Sequence, residues 1–180
     1  EWFYKAFISP FFDFLIRYRW RAVLILLLIS TYRISDIVLG VIANVFYVDM
    51  GFTKVEVAAI SKVFGVIMTL LGAGLGGLMM IRHGVMKVLF LGGLLSALTN
   101  LLFSLLAIMG HNISLLTLVI CLDNLSGGIA SAAFIAYLSS LTNVSYSATQ
   151  YALFSSVMVL IPKFLGGFSG VMVDSTGYSY

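Results

Sequence analysis

Ionisable and amide side chains recur along one stretch of an otherwise apolar sequence. Arg33, Asp36, Gly40, Asn44 and Tyr47 follow one another at spacings of three and four residues, which places them on one face of a helix. A carboxyl group beside a movable cation can exchange a proton, because the position of the cation changes its acidity. This face predicts a substrate-binding or proton-coupling site. The alternative is a static ion pair between Arg33 and Asp36.

Two further ionisable residues, Asp123 and Lys163, lie in apolar stretches without an opposite charge three or four positions away. Each therefore needs a partner on another helix, or water. Lys163 follows Pro162, which frees a backbone carbonyl and can kink a helix, so its ammonium group could meet a carboxylate of an anionic solute. The alternative is an interhelical salt bridge of Lys163 with Asp36 or Asp123. Lys62 lies near the end of its apolar stretch and is predicted to extend to the membrane interface.

The residue patterns of other chemistries are missing. No Ser-His-Asp, Cys-His or paired-carboxylate arrangement occurs at a suitable spacing, so the sequence does not predict an enzyme. His83 and His111 lie 28 residues apart and Cys121 is the single cysteine, so neither a metal site nor another cofactor is expected. The chain has no basic face, so nucleic acid is not an expected partner.

The composition indicates the environment of these residues. Of the 180 residues, 61% are hydrophobic and 9% are charged, and the mean hydropathy is +1.10, whereas soluble domains are about 25% charged. We therefore predict an all-α integral membrane protein within a lipid bilayer. A spanning helix needs about 20 apolar residues, and five stretches qualify: 22–47, 57–81, 85–109, 115–141 and 151–173. Residues 1–21 are predicted to be an amphipathic linker at the membrane surface, or a plain linker whose aromatic residues anchor there.

The positions of lysine and arginine predict the orientation. Arg17, Arg19 and Arg21 precede the first span, and Arg82 and Lys87 flank the turn after the second, whereas the loop after the third span has no basic residue. Short cytoplasmic loops carry the excess of these residues. We therefore expect the N-terminal segment and the turn at Arg82 to be cytoplasmic and the loop 110–114 to be external.

Small residues in the second span predict close helix packing. Gly72 and Gly76 are four residues apart, as are Ala73 and Gly77, and this spacing lets two helix backbones approach closely. A glycine-rich phosphate loop is the alternative, but no Lys-Ser/Thr pair follows.

The second and fifth spans resemble each other at an offset of 93 to 94 residues. The matching positions are Thr53 and Glu56 with Ser147 and Gln150, which fit a helix capping box, and Gly74, Gly77 and Gly84 with Gly167, Gly170 and Gly177. The offset covers three spans, so the two copies cross the membrane in opposite directions, as in the inverted repeats of secondary transporters. We expect a half-bundle of five transmembrane helices that lacks its sixth. Because the chain opens at Glu1 without methionine and stops after an apolar span, we expect it to be part of a longer polypeptide.

Five short strings along the chain are distinctive. They are Pro10-x-x-Asp13-Phe14, Tyr32-Arg33-Ile34-Ser35-Asp36, Gly51-Phe52-x-x-x-Glu56-Val57, Asp123-Asn124-Leu125-Ser126-Gly127-Gly128 and Ser147-Ala148-Thr149-Gln150-Tyr151-Ala152-Leu153. Together they resemble the AmpG muropeptide permease family of the major facilitator superfamily. The resemblance covers nearly the whole chain and corresponds to the linker and first five helices of the C-terminal half. Arg33, Asp123 and Lys163 stand where lysine, glutamate and arginine are usual, and the charge is kept each time.

The resemblance implies a secondary transporter of the bacterial inner membrane that imports anhydro-muropeptides together with protons for cell-wall recycling. It also implies that the missing N-terminal half of the transporter is a partner. The candidate substrate and proton-coupling residues are Arg33, Asp36, Asn44, Asp123, Asn124, Gln150 and Lys163. The alternatives are transport of another solute, such as acetyl-CoA, which a relative of the family carries, and a non-transporting membrane remnant or scaffold.

Overall fold

The computed structural model describes residues 4, 8–32 and 34–166, and these residues form helices and short connections without a strand. The helices are α1 (Ser9–Tyr18), α2 (Arg21–Thr31), α3 (Ile34–Asp49), α4 (Lys54–Ile60), α5 (Val66–His83), α6 (Val85–Met109), α7 (Ile113–Leu141) and α8 (Ser147–Gly166). A π-helical turn, Ser61–Gly65, joins α4 to α5, and a 3-10 turn, Val144–Tyr146, precedes α8. The predicted all-α class is confirmed.

Four helical segments are long and apolar enough to cross a membrane: Lys54–His83, Val85–Met109, Ile113–Leu141 and Val144–Phe164. The apolar stretch 22–47 is covered by the shorter helices α2 and α3, and Arg33 between them lies outside the described residues. The chain is therefore a multi-pass membrane protein with the helical composition of a major facilitator-like half-bundle.

Local sequence signals fix where these helices begin and end. At the start of α4 the Thr53 hydroxyl accepts a hydrogen bond from the Glu56 N–H at 3.2 Å, and the Glu56 carboxylate accepts one from the Thr53 N–H at 2.8 Å, which confirms that capping box. Gly84 and Gly110, at the ends of α5 and α6, have φ angles of +83° and +70°, which favour glycine. The glycines 167, 170 and 177 of the sequence repeat lie outside the described residues.

Helix α7 lies at the centre of the bundle and packs along both α5 and α6. A β-carbon on Gly72 of α5 would meet the carbonyl oxygen of Leu125, and one on Gly76 would lie 3.1 Å from the Cα of Ile129. On the other side, a β-carbon on Gly92 of α6 would lie 2.7 Å from the Cα of Ala130. The predicted close packing at Gly72 and Gly76 is therefore confirmed, and α7 is the partner helix.

Two apolar clusters occupy opposite ends of the bundle. They are well separated, because α7 has 29 residues and spans about 43 Å. In one, Phe14 of α1 packs edge-on against Phe154 of α8, with 4.9 Å between the ring centroids. In the other, Phe46 of α3 packs against Phe103 of α6 at 6.1 Å. The first cluster seats the N-terminal helix on the end of the bundle that carries the loop between α7 and α8.

The α5–α7 contact predicts opposite effects for two neighbouring glycines. Gly72→Ala should destabilise the protein by about 1–3 kcal/mol, since its methyl group must displace α7 backbone. Gly74→Ala should be neutral or slightly stabilising, because nothing lies within 4 Å of its β-carbon position and alanine favours helix more than glycine does. Thermal unfolding of the two purified variants in the same detergent tests this, and equal melting temperatures would contradict the contact.

The predicted orientation is tested with single cysteines in a Cys121→Ser background. We expect a membrane-impermeant thiol reagent to label a cysteine in the loop 110–114 in intact cells, and to label one at His83 only after the cells are opened. Labelling of the His83 position from outside would reverse the orientation.

Candidate functional site

Asp123, on α7, joins α7 to α6 through a hydroxyl group. The Thr99 hydroxyl donates to the Asp123 carboxyl oxygen at 3.2 Å, and it also lies 3.0 Å from the Ser96 carbonyl oxygen and 3.4 Å from the Ser126 hydroxyl. Thr99 and Ser126 are buried. Asp123 is ten residues into α7, which puts it about 15 Å from the start of that helix. A titratable group at this depth therefore has a hydroxyl partner on another helix.

Asn124 faces the other neighbour, α5. Its amide nitrogen donates to the Ile120 carbonyl oxygen at 2.8 Å, and its amide oxygen lies 3.1 Å from the Thr69 hydroxyl. That hydroxyl also lies 2.9 Å from the carbonyl oxygen of Gly65, the last residue of the π-helical turn. Asn124 thus contacts the place where the α4–α5 helix changes its hydrogen-bond pattern, which is a frequent feature of functional sites.

Asn100, next to Thr99 on α6, is a polar residue to which the sequence analysis assigned no role. Its side-chain oxygen is buried and has no hydrogen-bond partner among the described residues. A buried acceptor without a partner costs about 1–3 kcal/mol. An asparagine in the middle of an apolar span was the sequence signal that could have identified it.

The face of α3 with predicted function is described only in part. Arg33 lies outside the described residues, and Asp36 is placed by its backbone on α3 while its side chain is not described. Asn44 is exposed and lines a cleft together with Tyr47, Lys54 and further residues of α4. Of the polar side chains on this face, the structure therefore locates those of Asn44 and Tyr47, and both border the same cleft.

Gln150, at the start of α8, is fully buried and is bonded to the N-terminal helix. Its amide nitrogen donates to the Pro10 carbonyl oxygen at 3.0 Å and to the Asp13 carboxylate at 2.8 Å. Its amide oxygen accepts from the Asn143 N–H at 2.7 Å and from the Arg17 guanidinium at 3.2 Å. Two donor hydrogens and two acceptor positions are all that a glutamine offers, so this side chain has no capacity left for a solute.

The surrounding contacts complete what we call the α1 clamp: Asp13, Arg17, Asn143 and Gln150. Arg17 donates to the Leu141 carbonyl oxygen at 2.7 Å and lies 3.6 Å from Asp13, to which the Asn143 amide donates at 3.1 Å. The clamp fixes α1 on the loop between α7 and α8. The contacts also distinguish the predicted capping box of Ser147 and Gln150 from that of Thr53 and Glu56. The Glu56 side chain bonds back to Thr53, whereas the Gln150 side chain turns to α1 and Asn143.

Lys163, on α8, is exposed beside the buried Pro162. It forms no ion pair with Asp123 or with any other side chain in the described part of the chain. Helix α8 continues past Pro162 to Gly166. The carboxyl group of Asp36, on a helix that packs against α8, is not among the described side chains, so an ion pair between Lys163 and Asp36 stays a prediction.

Among the candidate residues whose side chains the structure describes, Gln150 lies apart from Asp123 and Asn124. Asp123 and Asn124 are neighbours on α7, but Gln150 contacts the far end of that helix near Leu141, about 27 Å away along its axis. The structure adds hydroxyl groups that the sequence analysis left out, Thr69 and Thr99, each bonded to one of the two α7 residues. Threonines are common in spans, so only the fold could identify these two.

Comparison with known proteins shows which transporters the chain resembles. It is 36% identical over 171 residues to a relative named AmpG 4 in Rickettsia conorii, 95% of this chain and 41% of the relative. It is also 33% identical over 176 residues to the anhydromuropeptide permease of Escherichia coli strain K12, 97% of this chain and 35% of the permease. The chain is AmpG-like. No family model matches it.

This AmpG-like chain spans about two fifths of the length of the curated relatives it matches; in Rickettsia felis the share is 42%. The relatives are bacterial and are named as transporters or permeases, and the helices are long enough to span a membrane. The chain is accordingly a multi-pass protein of the bacterial inner membrane.

The α1 clamp predicts a local effect of removing Gln150. Gln150→Ala should leave the Asn143 N–H without its partner, at about 1–3 kcal/mol for an unsatisfied buried group. It should also remove the hydrogen bonds from Gln150 to the Asp13 carboxylate and the Pro10 carbonyl oxygen, and should release α1. We expect faster hydrogen–deuterium exchange in residues 8–18 and little change in α6.

The matched control is Ser145→Ala, at an exposed position of the same loop whose side chain takes no part in the clamp. Unchanged exchange of α1 in Gln150→Ala would show that the clamp does not hold this helix.

Proposed function

We propose that this chain is part of a proton-coupled secondary transporter that imports anhydromuropeptides across the bacterial inner membrane. The observation that carries the proposal is the 33% identity to the Escherichia coli anhydromuropeptide permease over 97% of the chain. The polar groups inside the bundle support it. Ionisable groups in hydrocarbon cost at least about 2.5–3.5 kcal/mol each and mark solute or proton pathways, and Asp123 lies at such a depth.

The proposed roles follow from charge and depth. Asp36 is the proton-carrying carboxyl group, with Arg33 as its cationic partner. Asp123 is a second carboxyl group on the proton path, and it accepts a hydrogen bond from the Thr99 hydroxyl. Lys163, exposed and without an ion pair in the described region, binds a carboxylate of the solute.

The amide residues divide between two roles. Asn44 borders the cleft and hydrogen-bonds the solute, and Asn124 holds the π-helical turn through Gly65 and Thr69. Gln150 acts as a positioning residue that fixes α1 and does not touch the solute. Transport of this kind breaks no covalent bond in the solute, so none of these residues has a catalytic role. The remaining helices of the transporter, including its N-terminal half, complete the pathway.

The proposed coupling is tested on the full-length protein in membrane vesicles. Asp36→Asn keeps the size and hydrogen bonding of the side chain but removes its titration. We expect normal membrane abundance and retained exchange of solute across the membrane, because the amide can no longer carry a proton in each cycle. Proton-driven uptake of labelled anhydromuropeptide should fall at least tenfold, which corresponds to about 1.4 kcal/mol or more.

Asp49→Asn is the control, because Asp49 is an exposed carboxylate at the end of the same helix. Wild-type rates and an unchanged pH profile in both Asp36→Asn and Lys163→Gln would mean that these two charges are structural.

The 180-residue chain by itself is predicted to insert into membranes but not to transport. In secondary transporters the site lies near the bilayer midplane between repeats or halves, and the rest of the proposed pathway is absent from this chain. Purified chain in liposomes should therefore give no saturable, proton-driven uptake. Saturable uptake at rates near those of the full-length protein would show that these helices assemble a complete site.

A further inference from the structure

A cleft of about 520 Å³ lies at the end of the bundle opposite the α1 clamp. Its walls come from the end of α3, the connection to α4, and the start of the α4–α5 helix. The polar residues that line it are Asn44, Tyr47, Lys54, Ser61 and Lys62, and its lining includes no acidic residue among those described. The cleft therefore combines two cations with amide, phenol and hydroxyl groups.

The two acidic residues nearest to Lys54 along the chain, Asp49 and Glu56, are not among the residues that line the cleft. Neither Lys54 nor Lys62 forms an ion pair within the part of the chain that the structure describes. Glu56, on the same helix, accepts hydrogen bonds at 2.8 Å from both the N–H and the hydroxyl of Thr53, and its carboxylate lies 3.8 Å from the His111 ring. Since these contacts hold Glu56 at the cap, both lysines remain available to an anion.

The two lysines stand at different depths. Lys62 follows Lys54 by eight residues, which is about 12 Å along a helix, so one lies at the rim and the other further inside. Lys62 belongs to the π-helical turn, whose last residue, Gly65, has its β-carbon position 3.4 Å from the Asn124 amide of α7. Packing against α7 thus holds the π-helical turn that carries Lys62. The sequence alone predicted only that Lys62 extends to the membrane interface.

We propose that this cleft is a subsite for the carboxylate group of an anionic solute, with Lys54 at the rim and Lys62 inside. Tyr47 and Asn44 contact the uncharged part of the solute. The inference rests on the proposed transport function and adds to it a place of first contact on the predicted external side. A lipid phosphate group carries the same charge and would be recognised by the same two lysines.

Charge-selective thiol labelling of the full-length protein tests the cleft without any need for transport. In a Cys121→Ser background, Ser61→Cys places a thiol in the lining. Each labelling rate is divided by the rate of the same reagent with a small free thiol. The normalised rate of an anionic methanethiosulfonate reagent with this thiol should be about tenfold higher than that of a cationic one of similar size, because a cation-lined cleft concentrates anions. Ser114→Cys, an exposed position at the same end of the bundle, is the matched control and should show no such preference. Replacing both lysines by glutamine should reduce the preference to about twofold or less.

Protection experiments identify the group that occupies the cleft. N-acetylmuramic acid, which has a lactyl carboxylate, should slow labelling of Ser61→Cys at least tenfold more effectively than N-acetylglucosamine, which lacks it, since a charged hydrogen bond contributes more than a neutral one. Lys62→Gln should abolish this difference.

Two results would overturn the inference. The first is equal normalised labelling rates for the two reagents in the protein with both lysines. The second is slower labelling in vesicles that contain phosphatidylglycerol, together with no protection by N-acetylmuramic acid in phosphatidylcholine vesicles. That pair of results would assign the cleft to a lipid headgroup. Uptake of anhydromuropeptide by the unmodified protein, measured in parallel, tests the proposed function separately, because labelling and protection do not depend on translocation.

Discussion

The backbone contact between α5 and α7 is the constraint on which the rest of the bundle depends. Gly72 and Gly128 meet without side chains between them, since a β-carbon on either would overlap the backbone of the opposite helix. This contact lies one helical turn beyond Asn124, so it fixes the register that brings Asn124 against Gly65. The same rotation of α7 turns Asp123 towards α6 and the Thr99 hydroxyl. Close packing of small residues therefore determines where the polar groups meet.

Hydrocarbon cannot supply hydrogen bonds, so a polar group inside the bundle must find its partner in the protein or in a water-filled path. The polar groups of this chain fall into two sets, those with partners in the protein and those without partners among the described residues. Gln150 is buried and uses its full hydrogen-bonding capacity within the α1 clamp, which indicates a structural task. The Asn100 oxygen and the cleft lysines Lys54 and Lys62 have no such partners among the described residues. Of these groups, the two lysines are exposed and are the ones that a solute can engage.

Local features of the fold could be predicted from the sequence. The capping box of Thr53 and Glu56 and the packing role of Gly72 and Gly76 depend on spacing along one helix, and the structure confirms both. The contacts between distant elements could not be predicted, because spacing defines a helix face but not the helix that it meets. Gln150 and Asp13 are 137 positions apart. The roles predicted for Asp36, Asp123 and Lys163 remain proposals.

The central claim is that the polar groups inside the bundle handle protons and solute while Gln150 only holds α1. The most direct test is the pH dependence of anhydromuropeptide uptake per folded molecule, measured for Asp123→Asn and Gln150→Ala in the full-length protein. We expect Asp123→Asn to change the pH profile at normal abundance, and Gln150→Ala to lower the abundance but keep the profile of the unmodified protein. An altered profile in Gln150→Ala together with an unaltered one in Asp123→Asn would contradict the account.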